Sequence, residues 1–353
     1  VGLVNTTEYN TQYENLKDKW DIGGNGLPLY NFTTWNTNNT DYIVPDSMPE
    51  VRPVRDFLDN FVFNNETYKS KTYGEYKYYT PKTLTELDRI IYNSPDLSKL
   101  LFVDGQTSYG VPGFEDYAHG FNELILVNNI IELQTVHTTG NYKFGSSVPQ
   151  SVVKDKFMVS GDSKYEEIAR NIEYIASATV RNLASWTGST MMTIKNGFRG
   201  DWATILSGAN SVFTYAVYTA NSKSIKTGSY TQLKADVDLL NSVVLVHQVE
   251  IPKVSEQPAE TVKYQRSAKR TQNSQAYANM YSSEVGGVYT FTVGAINNTG
   301  IESLTASSLT EAYTKIDGLT VEDQYEYINI ESNAASVKDM LKGFVTKTIS
   351  GVG

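Results

Sequence analysis

No cysteine occurs anywhere in this chain of 353 residues, so neither disulfides nor thiolate-held metals can staple its fold. Stability must come from buried apolar surface, and the residues able to supply it are unevenly spread. Residues 1–80 carry Asn/Thr clusters (TTWNTNNTDY at 33–42), a GGNG turn at 23–26, and prolines at 28, 45, 49 and 53. They hold one compact apolar stretch, RDFLDNFVF at 55–63, and a tyrosine cluster, YGEYKYY at 73–79. So little apolar periodicity cannot build a core, so residues 1–80 read as an extended N-terminal arm lying on another surface. Residues 81–353 turn regular and read as one compact, helix-rich α+β body.

Within that body, Thr83 and Glu86 have the spacing of a capping box ahead of Leu84, Leu87, Ile90 and Ile91, which predicts a short helix ending before Pro95. KLLFV at 99–103 reads as a buried strand closed by Asp104-Gly105, while 121–136 (FNELILVNNIIELQTV) fits a helix and two strands equally. The clearest helical pattern covers 164–187. Ser163 and Glu166 mark its start, Gly188 its end, and Ile168, Ile172, Ile175, Thr179, Leu183 and Trp186 recur at steps of three or four. Ile172, Ile175 and Leu183 are therefore expected to face the interior. Further helices are predicted over 201–220, 230–241, 306–316 and 333–347, and strands over 243–249 (VVLVHQV) and 288–296 (VYTFTVGAI). The stretch 288–303 resembles one strand pair of a fibronectin-type module, without its upstream strands or tryptophan.

Chemistry is harder to find. The histidines His119, His137 and His247 are isolated, with no HxxxH or HExxH spacing. The carboxylate pairs Glu115/Asp116 and Glu166/Glu167 would serve glycoside hydrolysis only if they faced each other across a sugar, and Glu166 and Glu167 already suit the positive end of a helix. Glycine groups lack the context of a phosphate-binding fingerprint and read as turns. No catalytic residue, cofactor or metal is assigned.

A net charge of -9 argues against a nucleic-acid binder as a whole. One basic stretch, KYQRSAKR, places Lys263, Arg266, Lys269 and Arg270 at helical spacing, a candidate contact to a nucleic-acid backbone or an acidic neighbouring subunit. Tyr73, Tyr76, Tyr78 and Tyr79 are the candidate interface of the arm, because tyrosine offers area plus a hydrogen bond. N-glycosylation sequons stand at Asn5, Asn31, Asn38, Asn65 and Asn297. No apolar run reaches the ~18 residues of a membrane span. Residues 1–20 are polar from Val1 onward, unlike a signal peptide, so the start reads as a matured or a trimmed terminus.

The missing chemistry, the polar arm and the compact body lead to one expectation: not an enzyme, but a self-assembling structural protein. The form expected is a viral or phage capsid (coat) protein in the virion, partnered by copies of itself around double-stranded nucleic acid, with at most weak nonspecific nucleic-acid contact. A bacterial adhesion or carbohydrate-binding protein, extracellular or on the cell surface, is the alternative. A carbohydrate-active enzyme comes third.

Overall fold

The computed structural model describes residues 68–73, 76–110, 120–220, 222–239, 242–253, 261–270, 274–297, 300–322 and 334–351. Residues 65–353 form one compact unit, and the α+β reading of the body holds. The remainder of the arm, and with it Asn5, Asn31, Asn38, Asn65, Glu115, Asp116 and His119, lies outside the described residues.

The first sheet is small and mixed. Strands β1 (Tyr68–Tyr73) and β2 (Tyr76–Pro81) form an antiparallel hairpin, and β4 (Glu123–Leu126) runs parallel to both β2 and β3 (Leu100–Val103). Between β2 and β3 lies α1 (Leu84–Asn93), whose Leu87, Ile90 and Ile91 are buried with Ile125. Thr83 caps it as the spacing predicts, its Oγ1 accepting the Glu86 N–H at 3.2 Å. The Glu86 carboxylate, however, takes the N–H of Lys82 at 2.7 Å, so the reciprocal half of the capping box closes one residue early.

The second sheet is antiparallel, in the order β5 (Val136–His137), β6 (Tyr142–Gly145), β9 (Val243–Ile251), β7 (Val212–Thr219), β8 (Ser222–Gly228). One face is covered by α2 (Gln150–Met158), α3 (Ser163–Ile172), α5 (Trp186–Asn196), α6 (Asp201–Gly208) and α7 (Tyr230–Val237), while the short α4 (Ala178–Leu183) packs against α2. Strand β7 shows the two-sided burial: Phe213, Tyr215 and Val217 enter the helix-side core, while Ala216 and Tyr218 pack with α1. A strand buried on both faces loses its polar alternation and looks like a buried helix. For that reason the helix expected over 201–220 ends at Gly208 and the chain continues as β7.

The long helix expected over 164–187 is likewise broken. Helix α3 stops at Ile172, Ala176 takes a left-handed φ of 51°, and Ser177 and Ser185 cap α4 and α5. Ile172 is fully buried, but Leu183 is 56% exposed, contrary to its place in the predicted stripe.

The third sheet is a meander of β10 (Thr261–Ala268), β11 (Ala276–Val285), β12 (Val288–Gly294) and β13 (Glu302–Ala306). Helices α8 (Leu309–Asp317) and α9 (Ala334–Ser350) bury Ile316, Leu341 and Val345 against Met280, Phe291 and Val293. The fibronectin-like stretch belongs to this helix-covered sheet. On its other side α6 approaches closely. A Cβ on Gly208 would lie 2.4 Å from the Tyr281 ring, and one on Gly294 would lie 2.0 Å from Thr204 Oγ1.

Candidate functional site

Where β3 ends, the chain turns through Asp104–Ser108 and borders a cleft of about 260 Å³. The opposite wall is α5, entered from Ser185, and the floor is β9 at Val243–Val246. Ser146, Gln150, Ile175, Ala176 and Val180 also line it.

Tight backbone contacts fix these walls. A Cβ on Gly105 would stand 2.1 Å from the Leu183 carbonyl oxygen, so only glycine lets this loop touch the end of α4. The next residue, Gln106, sits at φ 53°, in the left-handed region. Gln150 is tied across by its N–H to the Ala184 carbonyl at 2.9 Å and by its amide Nε2 to the Ser185 carbonyl at 3.3 Å. The Trp186 indole donates to the Gly145 carbonyl at 2.9 Å and pins the start of α5.

Helix α5 is built to present backbone donors. Ser185 Oγ accepts the Gly188 N–H at 3.0 Å, while helix geometry leaves the N–H groups of Trp186 and Thr187 without intrahelical partners. No acidic side chain occupies the first turn, and Lys195 stands in the last. Within its own first turn nothing offsets the positive end of the dipole, which meets the cleft beside Asp104. Three buried polar atoms in the lining, Ser146 Oγ, Gln150 Oε1 and Thr187 Oγ1, have no hydrogen-bond partner.

Two titratable groups share the cleft. Burial pushes the Asp104 carboxyl up, against opposing hydrogen bonds from the Ser185 hydroxyl and the Gly105 N–H. Burial also lowers Lys195, which remains solvent-accessible at the rim while crowded by protein atoms. Much of the remaining lining is apolar, Leu101, Val127, Met191, Met192, Val244 and Val246 among it, and Gln106, Thr107, Ser108, Ser189 and Asn196 add polar side chains. The arrangement suits a ligand with flat ring systems and a phosphate group. The cleft is smaller than the roughly 300 Å³ at which pockets begin to enclose drug-sized ligands, so a large one would be only partly covered.

The residues singled out from sequence lie elsewhere. Lys263 and Arg266 are on β10, a strand rather than a helix, and Lys269 and Arg270 follow on an exposed bend. Lys263 donates to the Lys347 carbonyl at 3.0 Å. The Arg266 guanidinium is buried against Asp201 at 3.1 Å. Tyr73 pairs with Tyr76 in the β1–β2 register, Tyr76 is exposed, and Tyr78 and Tyr79 are half-buried.

His137 is exposed on β5, and His247 Nε2 is buried on β9 without a partner. Glu166 and Glu167 both pair with Arg170. The Asn297 sequon is unsuited to glycosylation, because its side chain is buried and its amide donates to the Thr320 carbonyl at 3.2 Å. None of these lines the cleft, and no group of three His, Cys, Asp or Glu suited to a metal occurs among the described residues.

A family profile described as the FAD binding domain in molybdopterin dehydrogenase matches residues 74–254, just over half of the chain. Indole-3-acetaldehyde oxidase of Zea mays is 30% identical over 142 residues, covering 40% of this chain and 10% of that protein. The chain thus spans about a tenth of the length of the curated relatives it matches.

Among solved structures, quinoline 2-oxidoreductase from Pseudomonas putida 86 superposes with a TM-score of 0.58 at 16% identity, over 80% of this chain and 99% of that one. A carbon monoxide dehydrogenase from Hydrogenophaga pseudoflava, lacking the Mo-pyranopterin moiety of its molybdenum cofactor, gives 0.57 at 15% identity, over 77% and 95%. At these identities the structures show a shared fold.

The family match overturns the capsid expectation, and with it the virion location and the reading of the chain as no enzyme. The physical reason lies in how cofactor enzymes divide their work. The cofactor carries the reaction and the protein supplies binding and orientation, so such a domain needs no nucleophile, His cluster or cysteine. The chemistry looked absent because it belongs to a group the sequence does not encode. No helix among the described residues is long and apolar enough to cross a membrane.

Proposed function

The chain belongs to the family of FAD-binding domains found in molybdopterin dehydrogenases, and from that premise we propose that the cleft between the 104–108 loop and α5 holds FAD. The chain would then serve as the flavin module of an oxidoreductase. One observation carries the reading: Ser146 Oγ, Gln150 Oε1 and Thr187 Oγ1, buried and unpartnered, converge on one cleft. Buried polar atoms are normally satisfied, and three orphans around one space fit a ligand that completes them.

The N–H groups of Trp186 and Thr187 and the positive end of α5 would take the pyrophosphate. Leu101, Val127, Met191, Val244 and Val246 offer apolar walls for the flat rings. The raised pKa of Asp104 lowers the cost of protonating it near a bound phosphate. When bound, FAD supplies hydride- and electron-transfer chemistry. The partner proposed is a redox module bearing the molybdopterin of the family description.

Titration of the full chain with FAD, followed by quenching of flavin fluorescence, tests the assignment. FAD is expected to bind more tightly than FMN, and FMN more tightly than riboflavin, because the phosphates are held by the helix terminus. Gly188→Glu separates binding from folding. Residue 188 is the third residue of α5, where a glutamate would complete a capping box with Ser185 and favour the helix, while its charge would repel phosphate. Unchanged or raised thermal stability with FAD binding lost is the expected result. Failure of the wild-type chain to bind FAD, or binding indifferent to Gly188→Glu, would overturn the proposal.

A further inference from the structure

Two segments of the cleft lining come from different helices' ends: the turn after α3, which supplies Ile175 and Ala176, and the segment before α6, which supplies Phe198. Both are anchored from outside by one residue. Arg266, on β10 of the third sheet, donates its Nε to Asp201 Oδ1 at 3.1 Å, its NH1 to the Tyr174 carbonyl at 2.9 Å and its NH2 to the Ser274 carbonyl at 2.8 Å. Tyr174 immediately precedes Ile175 and Ala176, and Asp201 opens the helix that follows Phe198–Gly200.

The anchor is held rigidly. Asp201 Oδ1 also accepts from the Tyr264 hydroxyl at 2.7 Å and from the Asn279 amide at 3.2 Å, and Asn279 reaches the Gly200 carbonyl at 3.3 Å. The side chains of Arg266 and Asp201 are only 8% and 5% exposed. Ala176 sits at φ 51°, a conformation that a non-glycine residue keeps only when its surroundings impose it.

We infer that Arg266 is a positioning residue for the flavin site: from a sheet outside the family-matched segment, it clamps two walls of the cleft at the spacing the cofactor needs. The inference rests on the FAD reading above. It assigns the one deeply buried cation of the basic stretch to the protein's own interior, and it makes the third sheet part of the binding apparatus without contact to the ligand. Arginine is required because its planar fork serves three acceptors in different directions, which a lysine ammonium on a flexible stem cannot do at once.

The experiment uses the full chain with Arg266→Leu, Arg266→Lys and, as control, Lys263→Gln, whose wild-type ammonium bonds the Lys347 carbonyl elsewhere on the same strand. FAD affinity is read by fluorescence titration well below the melting temperature, and amide hydrogen exchange is read on the FAD-free protein. Arg266→Leu is expected to weaken FAD about tenfold or more and Arg266→Lys about threefold, with Lys263→Gln unchanged. Exchange should quicken in 174–176 and in 198–200 together. If Arg266→Leu fails to fold, Arg266→Lys and Asp201→Asn take its place. Wild-type affinity in every folded variant, or exchange that quickens only around β10, overturns the inference. If the wild-type chain binds no FAD, the cleft reading falls by that result, and the exchange data still decide whether Arg266 holds both walls.

Discussion

Two buried polar sets in this protein differ in one respect. Around Asp201, the Tyr264 hydroxyl, the Arg266 guanidinium and the Asn279 amide converge on one carboxylate oxygen, and Thr204 donates to Asn279 Oδ1 at 2.7 Å. Around the cleft, Ser146, Gln150 and Thr187 each keep a buried oxygen without a partner. The first set joins α6 to the third sheet, and the second lines an open space. A satisfied network specifies structure, whereas an unsatisfied one marks a place where the fold waits for another molecule. Other described atoms, such as Trp202 Nε1, Ser211 Oγ and Tyr230 OH, also lack partners, but they do not line the cleft.

The comparison predicts opposite outcomes for mutations of similar size. The largest effect should come from Asp201→Ala, which leaves the Arg266 charge buried and uncompensated and should cost about 3–5 kcal/mol. Urea denaturation measures it, and a loss under about 1 kcal/mol would show that water compensates the network. Next is the apolar core of the third sheet: Leu341→Ala, at a fully buried site, should lose about 2–5 kcal/mol. Leu183→Ala, exposed at the end of α4, should lose less than about 0.5 kcal/mol, as surface changes do.

That pair also shows what was legible in the sequence. The spacing Ile168–Ile172 correctly marked a buried face, but the stripe was extended across two further serine caps, Ser177 and Ser185, so Leu183 was drawn inward when it points out. Strand β12 and helices α1, α8 and α9 were legible because each buries a single face or carries its own terminal signals, and β9, buried on both faces, because its apolar run is too short for a helix. Strand β7 was not, since burial on both sides erased its alternation. Tyrosine content alone does not separate interface from interior: Tyr142, Tyr165, Tyr215, Tyr218, Tyr230 and Tyr264 are core residues.

The site itself was nearly invisible. It is assembled from one glycine loop, two capping residues and backbone N–H groups at 104–108, 146–150 and 185–189, which no fixed spacing links. The available signals were a buried strand closed by Asp104-Gly105, and Ser185 placed three residues before Gly188.

A buried orphan that titrates sharpens the comparison through pH. His247 Nε2 has no partner, and burial, reinforced by the nearby Lys223 against the pull of Asp88 and Glu132, lowers its pKa from 6.5 to about 4. The unfolded chain then takes up a proton that the folded chain refuses. Stability contributed by the neutral imidazole is full above pH 6.5 and declines as pH falls towards 4, by at most about 1.4 kcal/mol per pH unit and roughly 2–3 kcal/mol in all. His247→Gln should flatten that part of the profile in urea titrations from pH 7 to 4. An unchanged slope would assign the acid sensitivity to other groups.

A small effect on stability, opposite in sign to the others, should come from the cleft. Thr187→Val replaces an unpartnered hydroxyl by a methyl of nearly the same volume. In the FAD-free protein no hydrogen bond is lost and a buried polar group is removed, so stability should stay level or rise by up to about 1 kcal/mol. The β-branched side chain is kept, so the propensity of α5 changes little. In the presence of FAD the sign reverses: the ligand loses the hydroxyl and binds less tightly, so the gain in melting temperature on adding FAD should shrink. The two measurements are made on one variant and differ only in the ligand. If Thr187→Val destabilises the FAD-free protein by more than about 1 kcal/mol, the hydroxyl has a structural partner and the contrast between the two polar sets fails at this residue.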